Sequence, residues 1–115
     1  MVFVFVYGTL KQGFANHHYL AGLEMRPGWV EGYQLHQGPG YPYAAPGQSR
    51  IYGEVYPVDD ALLAQLDALE ETPHYYRRIG CQVHFGGGET CPAYLYVRPE
   101  AAGLPVIPQG KYNLT

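Results

Sequence analysis

The segment Asp60-Ala-Leu-Leu-Ala-Gln-Leu-Asp-Ala-Leu-Glu-Glu71 has the periodicity of an amphipathic helix and carries one carboxylate in a costly place. Stepping at about 100° per residue from Leu62 puts Leu66 at about 40°, Leu63 at about 100°, Leu69 at about −20° and Glu70 at about 80°, inside the apolar arc. Glu71, at about 180° on the same wheel, faces water. An inward carboxyl is desolvated, its pKa rises, and it becomes suited to acid–base work near neutral pH. Three structural roles compete with that reading: an ion pair with Arg77 or Arg78, a bond to buried backbone amides, or an outward bend at a frayed helix end. A second group with chemical potential is Tyr7-Gly8-Thr9-Leu10, directly after an apolar run, where successive backbone N–H groups can face an anion or oxyanion. An ordinary strand-ending turn gives the same residues. His17-His18 are acid–base candidates that fit a solvated or capping role equally well, and Asp67, at the edge of the apolar face, is expected to be structural. There is no phosphate-binding glycine loop, nucleophile elbow or zinc-ligand spacing.

The composition narrows what such residues can serve. Fifteen glycines and ten prolines in 115 residues, with 15% charged residues, argue for short strands and structured loops and exclude a coiled coil. The net charge is −3, and no Lys/Arg cluster exceeds Arg77-Arg78, so the electrostatic footprint of nucleic-acid binding is missing. The longest apolar run, Val2 to Val6, falls far short of the about 20 residues that cross a membrane and lacks the flanks of a signal peptide. A cytoplasmic location is therefore expected, with Cys81 and Cys91 reduced and neither belonging to a metal-ligand pair. Cys81 reads as core. A monomer is the simplest expectation.

The elements that must hold these residues follow from pattern. Met1 to Val6 reads as a strand buried on both faces, and Gly8 permits a sharp turn after it. Asn16 to Leu20 reads as a short helix capped by Asn16. Gly28 to His36 is a strand, and Gln37 to Ser49, with three prolines and three glycines, reads as an irregular loop whose Tyr41 and Tyr43 border a pocket. Arg50 to Val58 is a strand leading into the helix, with Asp59 as N-cap and Val58 stapling onto Leu63. Thr72-Pro73 stops the helix. Tyr75 to Phe85, with Ile79, Cys81, Val83 and Phe85 on one face, and Thr90 to Val97 form a hairpin about Gly86-Gly-Gly-Glu89. The sum is one α+β domain over residues 1–115, a small mixed β-barrel-like sheet with one main helix.

Taken together, these motifs resemble one family. The opening strand, Tyr7-Gly8-Thr9-Leu10-Lys11, Gly13, Asn16-His17 and Leu20 resemble the start of the gamma-glutamylcyclotransferase-like proteins. So do Gly53-Glu54-Val55-Tyr56, the helix with Leu66-Asp67-Ala68-Leu69-Glu70, and then Tyr76 and Arg78. The Lys-x-Gly-x-x-Asn-His pattern is closest to the gamma-glutamylamine cyclotransferases and their bacterial relatives. The resemblance implies a small mixed barrel in which Tyr7, Gly8, Thr9 and Leu10 bind the glutamyl part of a small-molecule substrate and Glu70 is the catalytic acid–base residue. It carries over Asp67, Tyr76 and Arg78 as supporting residues, and its chemistry calls for no metal or other cofactor. The expected reaction closes a gamma-glutamyl compound on itself, releasing 5-oxoproline and an amine. A non-catalytic module that binds gamma-glutamyl metabolites in the same pocket is the alternative. The family's aspartate-tryptophan pair after a Pro-x-Gly turn is replaced here by Lys111-Tyr112, so no role is assigned to that segment.

Overall fold

The computed structural model describes residues 1–112. Five strands close into a barrel in the order β1 (Val2–Val6), β3 (Pro42–Val58), β2 (Arg26–Gln37), β4 (Arg77–His84) and β5 (Thr90–Val97), with one α-helix, α1 (Asp60–Leu69), between β3 and β4. The seam between β1 and β5 is parallel, and the other four are antiparallel. This is the mixed barrel with one main helix that the pattern predicts.

The continuous apolar run of β1 has a simple cause. Phe5, and Tyr7 just beyond the strand, point into the barrel, whereas Val4 and Val6 pack with Leu66 of α1 outside it. The interior cluster also holds Val30, Leu35, Ile51, Val83 and Leu95. Gly53 is needed where β3 crosses β1, because a Cβ there would stand 2.2 Å from the Val6 carbonyl oxygen.

Of the stretch Gln37 to Ser49, only residues 38–41 form an irregular loop. Pro42 to Ser49 belong to β3, paired with β2 from Tyr33↔Pro46 through Gln37↔Pro42. Two of its prolines are tolerated for identifiable reasons: Pro42 opens the strand, and Pro46 lies where the register shifts between Glu31 and Tyr33. β2 is also longer than expected at both ends. The β4–β5 hairpin turns at Gly86 to Glu89 as predicted, and Ile79, Cys81, Val83 and Phe85 all pack on the interior cluster.

Helix α1 starts as the pattern requires, with the Asp59 carboxylate accepting from the Leu62 N–H at 2.8 Å. It ends at Leu69, not at Glu71. Glu71 takes a left-handed backbone (φ 53°), its N–H donates to the Ala68 carbonyl, and the Thr72 N–H donates to the Asp67 carbonyl. This Schellman turn is usually closed by glycine. Beyond β5, the chain forms two 3₁₀ turns (Pro99–Gly103 and Pro108–Gly110) and bridges to β2 through His36↔Val106. Among the described residues no helix is long and apolar enough to cross a membrane.

Candidate active site

A cavity of about 240 Å³ opens between the end of β1, the start of β3, the end of α1 and the segment leading into β4. Tyr7, Gly8, Thr9, Leu10, Glu70 and Tyr76 all lie on its wall. Two segments sixty residues apart, chosen in the sequence for unrelated reasons, thus meet at one hollow. Its volume lies just below the roughly 300–1,000 Å³ of pockets for drug-sized ligands, which suits a small metabolite.

The wall segment Tyr7 to Leu10 is held by side chains and backbone groups that follow it in the chain and by β3. Asn16 does not cap the 3₁₀ turn His17–Tyr19, as expected for a helix there; its side chain donates to Thr9 Oγ1 at 2.9 Å, and its N–H to the Thr9 carbonyl at 2.9 Å. His17 Nδ1 donates to the Leu10 carbonyl at 3.1 Å. Glu54, from the Gly53-Glu-Val-Tyr56 block, accepts from the Gln12 N–H at 2.9 Å and from the Tyr56 hydroxyl at 2.8 Å. These bonds use carbonyls and side chains. The N–H groups of Gly8, Thr9 and Leu10 have no acceptor among the described residues. Gly8 serves a close approach and not a special turn angle: a Cβ would lie 2.9 Å from Cγ of Pro42. Lys11, next in the chain, donates to the Tyr112 carbonyl at 2.7 Å, so the tail packs against this loop.

Glu70 follows the last helical residue, yet its N–H still donates to the Leu66 carbonyl at 2.9 Å, which keeps its side chain on the inward path of the helical wheel. Burial alone pushes its carboxyl up to about 7. The phenols of Tyr7, Tyr76 and Tyr96 stand near enough for its charge to reach them, and burial foremost, with that charge, raises the proton affinity of all three. None of these hydroxyls donates to Glu70. Tyr7 donates to the Tyr96 carbonyl at 2.6 Å, Tyr76 to the Pro42 carbonyl at 3.1 Å, and Tyr96 to Asp67 Oδ1 at 2.8 Å. The carboxyl is thus desolvated without a compensating donor, and no cation pairs with it among the described residues.

The supporting residues divide. Tyr76 lines the cavity, whereas Asp67 and Arg78 lie off its wall and pair with each other, Arg78 Nε to Asp67 Oδ1 at 3.2 Å. The ion pair considered between Arg78 and Glu70 is therefore taken by Asp67. Tyr41 borders the cavity as expected, with Tyr75 beside it, their hydroxyls 3.1 Å apart; Tyr43 is buried in β3, and its hydroxyl bonds that of Tyr75. Tyr96, Tyr75 and Asn16 are wall residues not singled out as binding groups from sequence. Asn16 was within reach, since it sits in the Lys-x-Gly-x-x-Asn-His block. No group of three His, Cys, Asp or Glu is disposed to hold a metal ion among the described residues.

Comparison with known proteins decides the family. The model of the family described as "Gamma-glutamyl cyclotransferase, AIG2-like" matches residues 4–114. The chain belongs to this family. The gamma-glutamylcyclotransferase family protein YtfP of Escherichia coli (strain K12) is 36% identical over 110 residues, covering 95% of this chain and 94% of that protein. Among solved structures, an AIG2-like protein from Mus musculus superimposes with a TM-score of 0.81 at 29% identity, over 98% of this chain and 88% of the other. The uncharacterized protein PH0828 from Pyrococcus horikoshii gives a TM-score of 0.78 at 31% identity, over 96% and 89%. Family membership supports an enzyme of the gamma-glutamylcyclotransferase kind.

Proposed function

We propose that the protein is a gamma-glutamyl cyclotransferase that converts a small gamma-glutamyl amine, peptide or isopeptide into 5-oxoproline and the free amine, with Glu70 as its acid–base residue. The observation that carries this reading is the meeting of an unpaired carboxyl, poised at about 7, with the Tyr7–Leu10 loop on one small cavity. The substrate brings its own nucleophile. Its α-amine is tethered to the γ-carbonyl, so the enzyme needs to fold the chain into an attack conformation and manage protons.

At neutral pH the α-amine is an ammonium and cannot attack. Glu70 in its ionised form takes one proton, and the freed nitrogen lone pair forms a bond to the γ-carbon. The carbonyl oxygen gains negative charge, and the N–H groups of Gly8, Thr9 and Leu10, which have no acceptor among the described residues, are suited to hold either that oxyanion or the α-carboxylate. When the tetrahedral centre collapses, the bond to the departing nitrogen breaks. The ammonium starts with three hydrogens and ends with one on the lactam nitrogen, and the departing amine gains the other two through Glu70 in turn. A carboxyl near 7 is populated in both forms at neutral pH, as a group that must take and return protons requires. Tyr41 and Tyr75 at the cavity border are the groups we expect the leaving amine to meet.

The test is incubation with gamma-glutamyl amino acids, gamma-glutamyl-ε-lysine and glutathione, with 5-oxoproline read by mass spectrometry. Release from any member by the native chain, reduced at least about 100-fold in Glu70→Gln, is the expected result for loss of an acid–base group. Turnover retained in that variant would overturn the role of Glu70. Tight binding of these compounds without product would favour a binding module.

A further inference from the structure

Two groups beside Asp67, near the end of α1, have the chemistry to quench a carboxylate. One is the hydroxyl of Tyr96, a residue of the cavity wall and a ready hydrogen-bond donor; the other is the Arg78 guanidinium of β4, a cation that lies off that wall. Asp67, one helical turn before Glu70, holds both: it accepts from the Tyr96 hydroxyl at 2.8 Å and pairs with Arg78 Nε at 3.2 Å, both at Oδ1. Arg78 is further fixed over the Tyr94 ring, 4.4 Å from its centre. Asp67 is itself anchored, since its carbonyl accepts from both the N–H and the hydroxyl of Thr72, each at 3.0 Å.

We propose that Asp67 and Arg78 are positioning residues for Glu70: by engaging each other and the Tyr96 hydroxyl, they withhold a donor and a cation from the carboxyl in the cavity. This rests on the reading of Glu70 as the acid–base group. The pair also cancels its own charge. Asp67 alone would repel an ionised Glu70, and Arg78 alone would attract it, so the two together leave burial as the dominant influence on the carboxyl. The other titratable groups on the cavity wall are the phenols of Tyr7 and Tyr76, both committed to backbone carbonyls, those of Tyr41 and Tyr75, bonded to each other, and Glu71 next in the chain.

Because the two partners act with opposite sign, removing each should have opposite effects. Chains labelled with ¹³C at the glutamate side-chain carboxyl would be titrated by NMR, the Glu70 resonance being the one missing in Glu70→Gln. This readout needs no turnover. Asp67→Asn leaves Arg78 uncompensated and should lower the Glu70 midpoint by about half a pH unit or more; Arg78→Gln leaves Asp67 uncompensated and should raise it by a similar amount. The double variant should return near the native value, and Arg78→Lys, which keeps the charge, should barely move it. With a substrate from the panel above, the acid limb of kcat/KM should shift in the same directions. Midpoints that stay put, or move the same way in both single variants, would overturn the pairing argument even if Glu70 proves catalytic. A moved midpoint with no turnover in any chain would instead uphold the pairing and refute the reaction.

Discussion

A carboxyl buried with no partner among the described residues should cost the fold stability, and the cost should depend on pH in a way that singles out Glu70. Its carboxyl is raised from 4.5 to about 7 by burial. Below pH 4.5 it is protonated in both folded and unfolded chains, and nothing is lost. Between pH 4.5 and about 7 the unfolded chain releases the proton while the folded chain retains it, so folding stability falls as pH rises through that window. Above it the penalty is constant, at about 3 kcal/mol from the displacement itself. Glu70→Gln removes the titration and keeps the shape. The stability difference, variant minus native, should therefore grow by about 2–3 kcal/mol from pH 4.5 to pH 8, which for a chain of this size is on the order of 10 °C in Tm. Any loss from burying a carboxamide is the same at every pH and drops out, as do the contributions of other titrating groups. Urea or thermal melts of the two proteins across this range measure it. A difference that is flat with pH would refute the claim that Glu70 is desolvated and unpaired, whatever its role in turnover.

Two further outcomes concern neighbouring residues. Gly8→Ala places a Cβ 2.9 Å from the Pro42 ring, which has little room to yield because it opens β3. Displacing that wall should cost about 1–3 kcal/mol, read as a rise in KM of about tenfold with a smaller loss of melting temperature. Glu71→Gly should raise stability by about 0.5–1 kcal/mol, because a left-handed L-residue costs about 1–2 kcal/mol and glycine returns part of that in chain entropy. An unchanged or lowered midpoint in urea would show that the Glu71 side chain stabilises its turn.

The residues explain which parts of this site could be read before the fold. Periodicity located α1 and pointed Glu70 inward because a helix obeys one angle, and the carboxyl kept that direction although the helix ends one residue earlier. Asp59 at the N-cap and the glycine-rich β4–β5 turn were equally local and equally legible. What failed was non-local. Pro42 to Ser49 look like loop because proline and glycine are judged one at a time, and only pairing with β2 supplies the strand-start and register-shift positions that accept them. Tyr96 stayed hidden for a related reason. In β5 its neighbours Leu95 and Val97 enter the barrel, so Tyr96 lies on the side shared with Val4 and Val6 of β1, where α1 packs. That side becomes the cavity wall only through the parallel β1–β5 seam, which no short-range pattern announces.

The same limit explains why Glu70 had competing readings in the sequence. Arg77 and Arg78 are near in the chain and chemically fit to pair with it; nothing local says that Asp67, only three residues before Glu70, takes Arg78 instead. The distinction matters because the outcomes are chemically opposite. A Glu70–Arg78 pair would hold the carboxyl ionised well below neutrality and make it a poor proton acceptor. With Arg78 on Asp67, burial pushes the Glu70 carboxyl up to about 7, an arrangement that should cost stability at neutral pH. A protein selected for stability alone would gain from the first arrangement. The second makes sense where a proton must be taken and returned at neutral pH, and the pH-dependent difference expected between Glu70→Gln and the native chain would be the free energy that this arrangement withholds from the fold.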